Sequence, residues 1–208
     1  MARQTRQRIL DASLSMFNAQ GEPNVTTNHI ADELEISPGN LYYHFRNKDD
    51  IIEQLFAGYE ARMDAALSAP EGRLPGLEDV WLQLHLVFEC IWDYRFLYRD
   101  LVDILSRNRR LRLRFARILK RADEQAHTVM RGLVQAGVMR ASAAELNAAA
   151  TNVLVIATFW LNYAAARGDK DEQASIRDGI VQVMMLIAPF LRDAERVHLN
   201  TLTRAYTD

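Results

Sequence analysis

The sequence predicts an all-α protein in which an N-terminal three-helix module is followed by a larger helical domain. The 208 residues include only 9 glycines and 5 prolines, far fewer than the turns of a β-sandwich or barrel require. Apolar residues recur at helical spacing along the chain, and capping residues stand where one pattern stops and the next begins. A 49% hydrophobic and 25% charged composition is that of a folded globular chain, which excludes disorder and collagen-like repeats.

The first helix covers roughly residues 5–19, with Ile9, Leu10, Ser13, Met16 and Phe17 on one face. Gly21 and Pro23 end it. Thr26 or Thr27 caps a short second helix that turns Ile30, Ala31 and Leu34 inward. After a brief connection at Glu35 and Ile36, Ser37 caps a third helix with Pro38 at its first position. That helix buries Leu41 and Phe45 and exposes Asn40, Tyr43 and His44. Asn47 caps a fourth helix reaching about residue 67, with Asp49 and Asp50 in the first turn, where the helix dipole favours negative charge. A loop rich in proline and glycine occupies residues 69–76. Further helices follow at about 77–94, 96–106, 109–136, 142–167 and 172–193. Gly137 and Gly168 sit at C-terminal cap positions, and Pro189 bends the last helix or ends it early. The domain boundary is placed at 50/51, giving a module over 1–50 and a helical domain over 51–208.

No stretch without charged or strongly polar residues is longer than Val153 to Leu161, about half of the ~20 residues that cross a bilayer. Asp11, Ser13, Ser15 and Asn18 interrupt any signal-peptide core, so the chain is expected in the cytoplasm, away from membranes. The single cysteine, Cys90, forms no internal disulfide and reads as a buried, inert thiol. A net charge of −2 and pI near 6.2 provide no global basic field, so a nucleic-acid partner must be held by a local patch.

Two short helices joined by a tight turn, the second exposing polar side chains, form a helix-turn-helix, whose second helix enters the DNA major groove. Ser37 and the free backbone N–H groups of the third helix suit a phosphate, and Gly39 lets the backbone come close. Asn40, Tyr42, Tyr43 and His44 supply groups for base edges or phosphates, with Tyr42 beside Leu41 and therefore partly core. Thr26, Thr27 and Lys48 are placed for flanking phosphates, and Arg3, Arg6 and Arg8 form a basic arm with reach to the minor groove. Packing is the ordinary reading of one aromatic on a helix; here cap, proline, glycine and polar exposure coincide.

The segments VTTNHIADEL (25–34), ISPGNLYYHF (36–45) and NKDDII (47–52) resemble the TetR family of bacterial transcriptional regulators. The resemblance covers roughly residues 5–55. It implies that this segment binds DNA, that the remainder is a helical ligand-binding and dimerisation domain, and that ligand binding releases DNA. Among the contacts it implies are those of Thr26, Thr27, Ser37, Pro38, Gly39, Asn40, Tyr42, Tyr43, His44 and Lys48. Residues 1–50 carry five Lys and Arg against seven Asp and Glu, so DNA binding must rest on segregation of charge, with carboxylates turned away.

In the larger domain Trp81, His85, Phe88 and Trp92 share one helical face, and Phe96, Phe159, Trp160 and Tyr163 add aromatic surface. Two readings stand: a packed core, or an apolar cavity for a small aromatic or apolar ligand oriented by His85 and Glu89. Eight of the fifteen residues from Arg107 to Arg121 are basic. The run reads first as a solvated face, and second as a partner for the module's carboxylates or part of the field drawing DNA in. The helices near 142–167 and 172–193 carry small and apolar residues that suit a four-helix interface with a second copy. Dimerisation also follows from function, because two helix-turn-helix units read a palindrome.

The chain holds no nucleotide, metalloprotease or hydrolase motif, and no cofactor or metal is expected. Glu124 and His127 read as a surface pair. The expected function is a ligand-responsive repressor that binds a palindromic operator as a dimer. The alternative is a helical small-molecule-binding protein or enzyme without a DNA-binding role.

Overall fold

The computed structural model describes residues 2–68, 72–169, 171–204 and 206. Part of the proline- and glycine-rich loop, residues 69–71, lies outside the described residues. The chain forms eleven α-helices among the described residues: α1 (Ala2–Gln20), α2 (Thr27–Glu33), α3 (Pro38–His44), α4 (Lys48–Ala66), α5 (Leu77–Asp93), α6 (Arg95–Arg99), α7 (Leu101–Arg107), α8 (Arg109–Gln135), α9 (Ala143–Arg167), α10 (Glu172–Ile187) and α11 (Asp193–Arg204). Two compact units result, one of Met1–Arg62 with Asp93–Leu113, the other of Met63–Trp92 with Arg114–Asp208. The first unit thus takes in α6, α7 and most of α4 as well as residues 1–50.

In the first unit Ile9, Phe17, Ile30, Leu41, Ile51 and Phe56 are buried together in the core. Helix α1 stops at Gly21, whose φ of +83° is open to glycine and costly for other residues. Asn18, one turn earlier, is buried, and its amide spans a gap in the chain. Its Nδ2 donates to the Asp93 carbonyl at 2.7 Å and its Oδ1 accepts from the Phe96 N–H at 3.1 Å. Helix α6 has no cap of its own from Tyr94, so a side chain from α1 satisfies one of its orphan donors.

The helix expected over 96–106 is two helices broken at Asp100. The Asp100 carboxylate accepts from the Glu22 N–H at 3.1 Å. Burial pushes the Asp100 carboxyl up from the ordinary aspartate range, against the opposing pull of that hydrogen bond. Between α6 and α4, the Tyr59 and Tyr98 hydroxyls meet at 2.7 Å.

Two residues past the end of α2 stands Glu35, the one described non-glycine residue with positive φ, at 54°. The Ile36 N–H closes the turn onto the Ala31 carbonyl at 3.0 Å. A left-handed conformation costs a residue with a Cβ roughly 1–2 kcal/mol. Replacing exposed Glu35 by glycine is therefore expected to raise stability by about 0.5–1 kcal/mol, once the extra freedom of glycine in the unfolded chain is deducted. Urea denaturation checks this, and a lower midpoint for Glu35→Gly would contradict it.

In the second unit, Ser142 and Glu145 form a reciprocal capping box that starts α9, and Gly168 ends it at φ 86°. The Ser142 N–H and hydroxyl hold the Glu145 carboxyl below its usual range. Asp171 caps α10 by accepting from the Ala174 N–H at 2.9 Å. Gly179 brings the α10 backbone against two rings, and a Cβ there would stand 2.6 Å from Phe88 and 2.7 Å from Trp160. Pro189 does end α10 early, at Ile187, through a short 3₁₀ turn. Helix α11 beyond it was not expected, because it buries only Leu199 and Thr203 and is polar in composition. Helix α9 is long and apolar enough to cross a membrane by length and composition alone. Only 33% of its most apolar window is buried inside the chain.

Candidate nucleic-acid interface

Helices α2 and α3 present their N-termini through side-chain caps. The Thr26 hydroxyl accepts from the His29 N–H at 3.2 Å, and His29 Nδ1 accepts in return from the Thr26 N–H at 3.4 Å. Sequence reasoning passed over His29; its signal is the position three residues after a capping threonine, where glutamate commonly completes such a box. The Ser37 hydroxyl accepts from the Asn40 N–H at 3.2 Å, with exposed Pro38 at the first helical position. A Cβ on Gly39 would meet only the Ser37 hydroxyl, at 3.9 Å, so the backbone there is open to close approach.

The outward face of α3 carries Asn40, Tyr42 and Tyr43, all exposed. Tyr43 is 79% exposed, an arrangement a packing role does not explain. Half-buried His44 sits edge-on to it, ring centroids 5.0 Å apart. The partly core role expected for Tyr42 is not what the structure shows: the ring is 49% exposed and its hydroxyl meets the Thr27 hydroxyl at 3.0 Å, tying α2 to α3. A helix pair locked in this way offers fixed donors and acceptors on one surface.

Two expectations need correction. The basic arm is no separate arm, because α1 begins at Ala2 and carries Arg3, Arg6 and Arg8 on its first turns. Arg3 and Arg8 are exposed, whereas Arg6 lies over the Phe45 ring at 4.9 Å. Lys48 also departs from the expected picture. Its ammonium donates to the Glu22 and Val25 carbonyls, each at 3.0 Å, and stands 2.8 Å from the Glu22 carboxylate. Two of the three ammonium protons are thus given to carbonyls inside the protein, and the charge faces the Glu22 carboxylate.

The excess carboxylates are partly absorbed by the basic run. Arg107 pairs with Glu22, and beyond residue 50 Arg110 pairs with Glu53 of α4 at 2.9 Å. Asp50 is also engaged, accepting from the Arg46 N–H at 3.1 Å, while the Asn47 side chain caps α4 as expected by accepting from the Asp50 N–H at 2.8 Å.

The structure scatters the expected ligand residues. Phe96 belongs to the first unit, fully buried against Phe17 at 5.3 Å. Phe88 and Trp160 are packed on Gly179, and the Trp160 indole N–H donates to the Ser175 carbonyl. Trp92 is half-buried, and Phe159 and Tyr163 are exposed. Trp81 stacks on His85 at 5.8 Å, and His85 Nδ1 meets the Tyr206 hydroxyl at 3.2 Å. Exposed Glu89 stands 3.6 Å from His85 Nε2.

None of these nine lines the apolar cavity of the second unit, about 60 Å³ in volume. Its walls are aliphatic: Val80 and Leu84 of α5, Val129 and Met130 of α8, Val153 of α9 and Val183 of α10. The one strongly polar lining residue, Gln83, donates to the Ala66 and Ser68 carbonyls, each at 3.4 Å. Aromatic spacing marked a helix face, but helix-to-helix packing decided where space remained. Elsewhere in this unit, Cys90 is buried as expected. Glu124 and His127 turn to different partners, Lys120 at 3.8 Å and Asn147 at 2.9 Å.

Comparison with known proteins agrees with this geometry. The family described as "Bacterial regulatory proteins, tetR family" matches residues 9–55, and TetR, described as "Bacterial transcriptional repressor", matches residues 58–199. A TetR-family transcriptional regulator from Marinobacter aquaeolei VT8 is 38% identical, with a TM-score of 0.89 over 97% of this chain and 98% of that one. A regulator from Saccharomonospora viridis in complex with choline shares the fold, with a TM-score of 0.67, 20% identity and coverage of 97% of this chain and 96% of that one. The uncharacterized HTH-type transcriptional regulator TtgW of Pseudomonas putida is 41% identical over 56 residues, 27% of this chain and 42% of TtgW. The matched part spans less than two thirds of such curated relatives, 26% of SrpR from Pseudomonas putida for example.

Proposed function

The chain belongs to the TetR family of bacterial transcriptional regulators, and from that premise we propose that it is a repressor that binds a palindromic operator as a homodimer and leaves it when a small apolar ligand enters the second unit. The observation that carries the DNA-binding part is the α3 surface: capped and proline-started, with Tyr43 79% exposed on its outer side. Asn40, Tyr42, Tyr43 and His44 would meet base edges or phosphates, and the N-termini of α2 and α3, with Thr26, Thr27, Ser37, Pro38 and Gly39, would take phosphates. Arg3 and Arg8 would add charge from the first turns of α1.

Dimerisation is proposed through α9 and α10. Val155, Phe159 and Tyr163 of α9 stand exposed at successive helical turns, and Met185 of α10 is exposed as well. The aliphatic cavity supports an apolar ligand rather than a charged one. Its volume of about 60 Å³ is well below the roughly 300 Å³ at which drug-sized pockets begin, so the ligand would bind a more open arrangement and shift the population towards it. Helix α4 supplies the route. Its last residue, Ala66, receives the hydrogen bond of the cavity residue Gln83, and its first, Lys48, follows α3 after three residues.

Replacing Tyr43 by alanine tests the reading. A lost base or phosphate contact of about 1–3 kcal/mol in each of two subunits lowers operator affinity by roughly 30-fold to 10⁴-fold. Fluorescence anisotropy on a labelled operator duplex would measure it, with circular dichroism confirming an unchanged fold. Equal affinity of the variant and the wild type would remove α3 from the interface.

A further inference from the structure

Glu22 lies in the short 3₁₀ turn between α1 and α2, is fully buried, and is bracketed by two cations. Lys48, at the start of α4, stands 2.8 Å from Oε1; Arg107, at the end of α7, pairs with Oε2. The Lys48 contact is ionic rather than a directed hydrogen bond, since Oε1 has no hydrogen-bond partner of good geometry. The same ammonium reaches the Val25 carbonyl, next to the Thr26 cap of α2, and so sits beside a helix N-terminus proposed above to take an operator phosphate. Arg107 has a second place to go, because its Nε is 3.4 Å from exposed Asp103 on its own helix. Asp100 receives the Glu22 N–H, which adds a second carboxylate to the pocket.

We infer that Glu22 competes with the operator phosphate for Lys48, and that Arg107 decides the competition. This rests on the operator-binding reading above. With Arg107 on Glu22, Lys48 can swing to a phosphate and leave behind a carboxylate that still holds one cation. With Arg107 withdrawn to Asp103, the departure of Lys48 would strand a buried carboxylate with no cation, and a buried unpaired charge is strongly unfavourable. Lys48 then stays inward. One phosphate contact per subunit therefore depends on a guanidinium of α7 that need not touch DNA.

Two measurements on the full-length protein test this. The first is the salt dependence of operator binding. Arg107→Gln should reduce the slope of log K against log salt by about 0.9 per subunit, the value of one phosphate contact. Lys48→Ala should give the same reduction, and the two together no more than either. Removing the carboxylate as well, in Glu22→Gln with Arg107→Gln, should restore the wild-type slope. An unchanged slope in Arg107→Gln overturns the inference, and so does a double variant as shallow as Arg107→Gln, which would mean that Arg107 itself meets the DNA or that the loss is merely structural.

The second measurement needs no DNA. Acylation of Lys48, read by mass spectrometry against exposed Lys120, should slow in Arg107→Gln and quicken in Glu22→Gln. Unchanged labelling overturns the inference. The expected labelling in a protein that selects no operator overturns the operator-binding reading instead, and with it the competition.

Discussion

Charging the outer face of α9, by replacing both Val155 and Phe159 with glutamate, is expected to yield a folded monomer that has lost operator binding. These side chains are 52% and 45% exposed and Tyr163, a further turn along, is 55% exposed. Such an apolar row on one subunit exposes surface that a second copy would cover. Two carboxylates per subunit facing their symmetry mates across a desolvated interface would find no counter-charge, and buried unpaired charge outweighs the apolar area regained. Without the second subunit only one half-site is read, and affinity drops from the range of specific binding towards that of non-specific binding, about 10³-fold or more. Sedimentation equilibrium would show the change of mass, and circular dichroism would show the helices retained. A variant that remains a dimer would place the interface elsewhere.

Gly179→Val is expected to destabilise the second unit strongly. A Cβ at this position would stand 2.6 Å from a Phe88 ring carbon and 2.7 Å from the Trp160 ring. Neither ring can yield easily: Phe88 is fully buried, and Trp160 is fastened by its N–H to the Ser175 carbonyl. Overpacking of this kind costs about 1–3 kcal/mol, which for a chain of this size lowers Tm by roughly 2–12 °C. Trimming Phe88 to leucine in the same chain should recover part of the loss, because it removes one of the two rings in conflict. Thermal unfolding followed by circular dichroism measures both effects. A wild-type Tm for Gly179→Val would mean that α10 stands further from these rings than described.

The difference between what was legible in the sequence and what was not follows the distance over which each feature is determined. The caps Thr26, Ser37 and Asn47 act on residues three positions away, and Pro38 acts on its own backbone, so α2, α3 and the start of α4 could be read locally. The direction of Lys48 could not. Its expected phosphate contact followed from its position and from the family resemblance, whereas the partner seen, Glu22, lies across two helices and is itself compensated by Arg107. Asn18 illustrates the same limit, since it reads as a polar residue near the end of α1 and becomes the link to Asp93 and Phe96. Phe96 looked like one more member of an aromatic set, yet the chain returns it to the core of the first unit. The helix pattern also masked the break at Asp100, where a carboxylate turns to the Glu22 N–H. For the cavity, the aromatic rings were conspicuous in sequence, but Phe88 and Trp160 are packed on Gly179 while Phe159 and Tyr163 face outward, and the cavity described lies among valines, leucines and a methionine that carry no distinctive spacing.

Operator recognition is tested by selection of binding sites from random duplex DNA with the purified full-length protein. A dimeric regulator of this kind should recover a palindrome whose half-sites are one helical turn or a multiple apart, with Tyr43→Ala failing to enrich it. A folded dimeric protein that enriches no sequence at low salt, in the absence of any added ligand, would contradict this expectation.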